Sequence, residues 1–158
     1  MKNRRNLILI LSILLLIGLA NTELYAQTGN TSYGVLTLDS NITGDDNTAF
    51  GEASRTSNTE GSRNTALGYV ALYSNTTGVN NTASGAQALL SNTTGSANTA
   101  TGAFSINSNT TGTQNTASGF YSLYSSTIGN GNTAMGSQSL TSNTTGDNNT
   151  ATGAYSLH

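Results

Sequence analysis

The tripeptide Asn-Thr-Ala recurs every 17 residues, beginning at Asn47, Asn64, Asn81, Asn98, Asn115, Asn132 and Asn149. Asn30-Thr31-Ser32 is an earlier copy in the same register, so repeats start at 30, 47, 64, 81, 98, 115, 132 and 149. A Gly follows four positions after each Asn: Gly34, Gly51, Gly68, Gly85, Gly102, Gly119, Gly136 and Gly153. A second Gly row lies ten positions further on: Gly44, Gly61, Gly78, Gly95, Gly112, Gly129 and Gly146. A period this short and free of insertions means stacked repeat units, since no single unit can bury a core alone.

The unit reads Asn-Thr-Ala-x-Gly-x-x-Ala/Ser-Leu-x-Ser-Asn-Thr-Thr-Gly-x-x. Its segments between turns are too short for a stable helix and suit strands of about 3–5 residues. Thr65–Leu67 and Tyr69–Tyr73 are the expected strands, and Asn75–Gly78 has turn chemistry. The two Gly rows mark places that need φ > 0 or close backbone approach. The expected fold is therefore an all-β parallel solenoid, a β-roll of about eight coils. At a strand spacing of ~4.8 Å this makes a rod on the order of 40 Å long. Identical residues then stack into ladders, and Asn amides can hydrogen-bond along such a stack.

The core is expected from the invariant Ala row (Ala49, Ala66, Ala83, Ala100, Ala117, Ala134, Ala151) and from Leu38, Leu72, Leu89, Ile106, Leu123, Leu140 and Leu157. Val70, Gln87, Phe104, Tyr121, Gln138 and Tyr155 form a mixed row beside it. Period-two alternation puts Leu72 and Val70 on one face, and Tyr69, Ala71 and Tyr73 on the other. Such a core is thin, so backbone pairing between coils must carry much of the stability. Close packing of several rods is expected to help, which makes the chain a homo-oligomer.

The first residues differ in kind. Lys2, Arg4 and Arg5 precede a nearly unbroken apolar run from Leu7 to Ala20. These are the n- and h-regions of a secretory signal peptide. Cleavage after Ala26 leaves a signal segment at 1–26 and a solenoid domain at 27–158, with cleavage after Ala20 as the alternative. The run is short for a membrane span of ~20 residues. The mature part has two Arg against six acids, a net charge of −4, and no charged residue between Asn64 and Gly146. There is thus no basic footprint for nucleic acid. With no Cys, disulfides cannot stabilise the exported domain.

Catalytic chemistry finds no support. His158 is the single His and there is no Cys, so neither a Ser-His-Asp nor a Cys-His arrangement can be assembled. A glycosidase needs paired carboxylates, and the uncharged repeats have none. Asp45 and Asp46 read as solvated turn acids rather than a calcium site, and no metal or cofactor is expected. Glu52, Arg55, Glu60 and Arg63 read as surface pairs or a polar cap. Asn-x-Thr sequons such as Asn75–Thr77 read as turn ladders. The Gly rows are not phosphate loops, because no helix start or Lys follows. Tyr69, Tyr73, Tyr121, Tyr124 and Tyr155 read as surface or interface residues, with carbohydrate stacking as the functional alternative.

Asn-Thr-Ala-x-Gly-x-x-Ala-Leu, as in Asn64–Leu72, is similar to the head repeat of YadA-like trimeric autotransporter adhesins, whose motif reads roughly Asn-Ser-Val-Ala-Ile-Gly-x-x-Ser-x-Ala. Thr65, Ala66, Leu67 and Gly68 fall where that family has Val, Ala, Ile and Gly. The resemblance covers residues 30–158. In this chain Thr replaces Val in every copy, the Ile position is polar at Ser84, Thr101, Ser118 and Thr152, and the period is longer. The resemblance implies a left-handed β-roll, three of which associate. It also implies an exported adhesive module on the surface of a Gram-negative cell, contacting matrix proteins or surface glycans. The family's stalk and membrane barrel are not in this sequence, so a fragment or an unanchored secreted form is expected. Similar repeats in exported fibre proteins make a fibre or spacer role the alternative. Ice binding by Thr rows is the third reading, with Thr-Ala-Thr in two copies, at Thr99 and Thr150.

Overall fold

A computed structural model describes residues 29–34, 43–54 and 57–157. The expected signal segment, Leu38, Arg55 and His158 lie outside the described residues. The chain forms a parallel β-solenoid with one three-residue strand per coil: β1 (Thr31–Tyr33), β2 (Thr48–Phe50), β3 (Thr65–Leu67), β4 (Thr82–Ser84), β5 (Thr99–Thr101), β6 (Thr116–Ser118), β7 (Thr133–Met135) and β8 (Thr150–Thr152). The strands make one eight-stranded sheet in sequence order. Thr pairs with Thr and the central residue with its counterpart at every step, as in Thr65 with Thr82 and Ala66 with Ala83. Any slip of one residue would turn the buried Ala row to solvent.

The strand stops at a Gly because the next coil comes too close for a side chain. From Gly51 to Gly136 this row has φ of 116–142°, and a Cβ there would sit 2.5–2.8 Å from the backbone of the next coil's Gly. The second Gly row has no left-handed φ requirement between Gly61 and Gly112. Its reason is space, since a Cβ on Gly95 would run into Asn92 Oδ1 and the Gly112 carbonyl. Close approach thus applies to both Gly rows, and a left-handed φ to the first alone.

The expected strand at Tyr69–Tyr73 is a turn. Gly68, Val70 and Leu72 have φ of 135°, 46° and 51°, every second residue left-handed. This backbone curls instead of extending. The expected alternation fails with it: Ala71 and Leu72 are neighbours and both fully buried, whereas Val70 is only half-buried. Amide directions alternate too. Val70 N–H donates to the Glu52 carbonyl of the preceding coil, and Leu72 N–H to the Ala88 carbonyl of the following one. The turn is thereby satisfied without strand geometry.

The core therefore holds Leu72, Ala66 and Ala71 and their equivalents, more than the two apolar rows expected. Ser takes the place of Ala71 in other coils, from Ser54 to Ser156, because its hydroxyl bonds locally. Ser105 donates to Gly102 O at 2.8 Å and Ser122 to Gly119 O at 2.9 Å. Around this apolar centre run two fully buried Asn rows. In the first, each Oδ1 accepts the backbone N–H of the Asn in the following coil, as in Asn81 N–H to Asn64 Oδ1 at 2.8 Å. Each Nδ2 donates to a carbonyl of the second Gly row, as in Asn81 to Gly95 at 2.8 Å. The second row, Asn58, Asn75, Asn92 and Asn109, is fully buried too, so the Asn-Thr-Thr-Gly segment is not a solvated turn. There Nδ2 bonds the Oδ1 one coil back, at 2.8 Å for Asn92 to Asn75.

Candidate functional site

With the Asn, Ala and Leu rows turned inward, the surface is left to a small set of outward rows. The strand presents Thr48, Thr65, Thr82, Thr99, Thr116, Thr133 and Thr150 on its outer side, as expected when a buried Ala sits between two outward residues. The parallel row beside it is Tyr33, Phe50, Leu67, Ser84, Thr101, Ser118, Met135 and Thr152. Its first members are apolar and exposed, with the Tyr33 and Phe50 rings 6.4 Å apart.

The more unusual row lies on the left-handed turn. Ala53, Val70, Gln87, Phe104, Tyr121, Gln138 and Tyr155 all have φ between 46° and 59°. A bulky residue in this region costs about 1–2 kcal/mol, and only Gly, Asn and Asp adopt it cheaply. None of these three types occurs in the row. The other outward left-handed position behaves differently: Asp46, Asn80, Gly131 and Asn148 use the cheap residues in more than half its copies. Leu72 and its equivalents have a core to fill in return for the strain. The Val70 row does not, because its side chains reach solvent.

Phe104 and Tyr121 stack across adjacent coils at 4.7 Å. Phe120 packs edge-on to both, at 6.1 Å from Phe104 and 4.5 Å from Tyr121, and Tyr124 lies 4.8 Å from Tyr121. Three outward rows thus meet at one corner of the rod. Amide side chains continue it above and below the rings. Gln87 precedes Phe104, and Gln138 donates to the Tyr155 hydroxyl at 3.4 Å. No charged side chain lies in this stretch of the sequence. The result is a neutral aromatic and amide surface along the rod. It includes Tyr121, Tyr124 and Tyr155; the sequence placed Phe104 in one row with Tyr121 and Tyr155, and Phe120 was the partner it missed. The signal was available: the positions are one repeat apart or adjacent.

The residues singled out as ladders in the sequence (Asn47 to Asn149, Gly51 to Gly153, the Ala row and the Leu row) are structural in position. From Asn47 to Leu140 their described members face inward or lie against the next coil's backbone, whereas in the last coil the expected core residue Leu157 is exposed and nothing lies within 4 Å of a Cβ on Gly153, because no further described coil stacks on them. Asp45 and Asp46 fall in the turn before β2, where Asp45 N–H donates to Ser62 Oγ at 3.0 Å and Asp46 has φ 56°. Among the described residues no group of three or more His, Cys, Asp or Glu converges. No protein-family model, curated protein or solved structure matches the chain.

Proposed function

We propose that the chain is an exported structural and adhesive module, a rigid rod that holds a neutral binding surface away from the cell. The observation that carries this reading is the left-handed row, where Phe104 and Tyr121 keep half-buried rings at the surface, stacked on each other and flanked by the exposed Phe120, on strained backbone that Gly or Asn would relax. Such strain persists where a side chain is needed for something other than folding. Rings flanked by amides suit uncharged partners such as surface glycans or neutral segments of matrix proteins. The basic, apolar first residues support export, and the similarity to YadA-like head repeats supports a cell-surface site and trimeric association.

The test is solid-phase binding of the purified mature chain to matrix proteins, neutral polysaccharides and bacterial cells. Binding weakened at least tenfold by the F104N/Y121N double variant is expected. No binding to any of these surfaces would leave a spacer role in a fibre. Light scattering at micromolar concentration checks association: a folded monomer would rule out the trimer.

A second reading, ice binding, has one observation in its favour. β4, β5 and β6 carry two parallel hydroxyl rows, Thr82 with Ser84, Thr99 with Thr101 and Thr116 with Ser118, in register. Leu67 and Met135 interrupt the second row on either side. Thermal hysteresis with shaped ice crystals is the discriminating measurement.

A further inference from the structure

The second buried Asn row has one break. From Asn58 to Asn92 each Oδ1 is met by the Nδ2 of the next coil, at 3.1 Å from Asn75, 2.8 Å from Asn92 and 2.7 Å from Asn109. The next position is Ser126, whose side chain is fully buried but too short to continue the chain of amides. Asn109 Oδ1 and Ser126 Oγ are left as the buried side-chain polar atoms without a hydrogen-bond partner among the described residues. The effect spreads to both neighbours. Gly129 O receives Asn115 Nδ2 at 2.7 Å, without the second amide that Gly112 O accepts from Asn109 at 3.0 Å. Asn143 Nδ2 keeps its bond to Gly146 O at 3.0 Å but has no counterpart of the bond to the preceding coil that Asn92 and Asn109 Nδ2 make.

We propose that a single water molecule is bound here as a permanent part of the solenoid. Replacing a carboxamide by a hydroxyl removes two heavy atoms, which leaves space on the scale of one water, about 30 Å³. The polar groups match a water's capacity. The water donates to Asn109 Oδ1 and to Gly129 O, and it accepts from Asn143 Nδ2 and from the Ser126 hydroxyl. Four partners are at the upper end of what buried waters make. The water thus reproduces each link of the missing amide. A metal cation does not fit, because Asn143 Nδ2 brings a donor and no carboxylate lines the site.

Magnetic relaxation dispersion of water oxygen-17 on the full chain counts long-lived internal waters. The wild type is expected to hold one more than S126N, whose carboxamide takes the water's place. S126N is expected to melt about 2–5 °C higher, since the row becomes continuous without an immobilised solvent molecule. Equal water counts in the two proteins, or a lower melting point for a folded S126N, would overturn the proposal. If S126N does not fold, a high-resolution crystal structure of the wild type decides: density bonded to Asn109 Oδ1 supports the site, and its absence there refutes it.

Discussion

Asn64 and Asn75, from different sides of one coil, donate to the same oxygen: the Gly78 carbonyl accepts Asn64 Nδ2 at 2.8 Å and Asn75 Nδ2 at 3.0 Å. That shared acceptor ties the two buried Asn rows together through the second Gly row. The same triangle recurs at Gly95, with Asn81 at 2.8 Å and Asn92 at 2.9 Å. The Gly must lack a Cβ for both amides to reach its carbonyl neighbourhood, so three of the repeat's recurrent residues have one common cause.

Removing one amide from the first row should therefore be costly. Asn81→Ala strips the Asn98 backbone N–H of its acceptor, Asn81 Oδ1 at 3.0 Å, in a buried site. An orphaned buried donor costs about 1–3 kcal/mol, and the lost amide bonds add to it. A loss of about 2–4 kcal/mol is expected in urea unfolding. A change below the scatter of surface mutants would mean that water reaches the row.

The hydroxyl row beside it should be nearly silent. Thr93 Oγ1 donates to Thr110 O at 3.0 Å, but that carbonyl already accepts the amides of Thr93, Thr94 and Gly95 at 2.9, 3.1 and 3.3 Å. Thr93→Val leaves the acceptor supplied and keeps the side-chain shape. The expected loss is less than about 1 kcal/mol, measured by the same denaturant midpoint as Asn81→Ala. A loss as large as that of Asn81→Ala would contradict this account of an oversupplied carbonyl.

The parts of the fold set by exact periodicity were legible in the sequence. The Thr65–Leu67 strand, the Ala66 row and both Gly rows follow from position alone, because each coil repeats the same contacts. The Tyr69–Tyr73 segment was not legible. Val, Phe and Tyr favour extended backbone, and they and Leu all disfavour φ > 0, yet Val70 and Leu72 are held left-handed by hydrogen bonds to opposite neighbouring coils. The burial of Asn75 was hidden for a related reason. Asn-Thr-Thr-Gly reads as a turn wherever water can solvate it, and only the stacked Asn58 and Asn92 make a dry site tolerable. The aromatic corner was half legible, since the Tyr residues stood out but the curl that gathers them did not.

Two left-handed residues of one coil should respond oppositely to Asn. Leu123 is fully buried, and Leu123→Asn relaxes φ while deleting core contacts and burying a second amide without arranged partners. Leu-to-small substitutions cost about 2–5 kcal/mol. Tyr121→Asn relaxes φ 55° and loses ring contacts worth about 0.5–1.5 kcal/mol. Strain relief of about 1–2 kcal/mol offsets that loss, so its melting point should stay within a few degrees of wild type. A collapse of Y121N would assign the aromatic corner a folding role and remove the argument that its rings are kept for binding.

Glycine substitutions separate close approach from conformational preference. Gly85 has φ 142°, and a Cβ there would lie 2.6 Å from the Gly102 carbonyl group, which cannot move without shifting a whole coil. Gly131 has φ 66°, and the atom its Cβ would meet is Oδ1 of the exposed Asn148 side chain, which can rotate away. The equivalent position in other coils already holds Arg63, Asn80, Ala97 and Gln114 at φ of 56–60°. Gly85→Ala should thus destabilise by more than about 3 kcal/mol, combining φ strain with a backbone clash. Gly131→Asn should stay within about 0.5 kcal/mol of wild type, as a surface change at a compatible φ does. Parallel chemical denaturation of both variants tests this. Equal losses would show that the left-handed conformation, and not the packing of one coil on the next, decides where this repeat needs glycine.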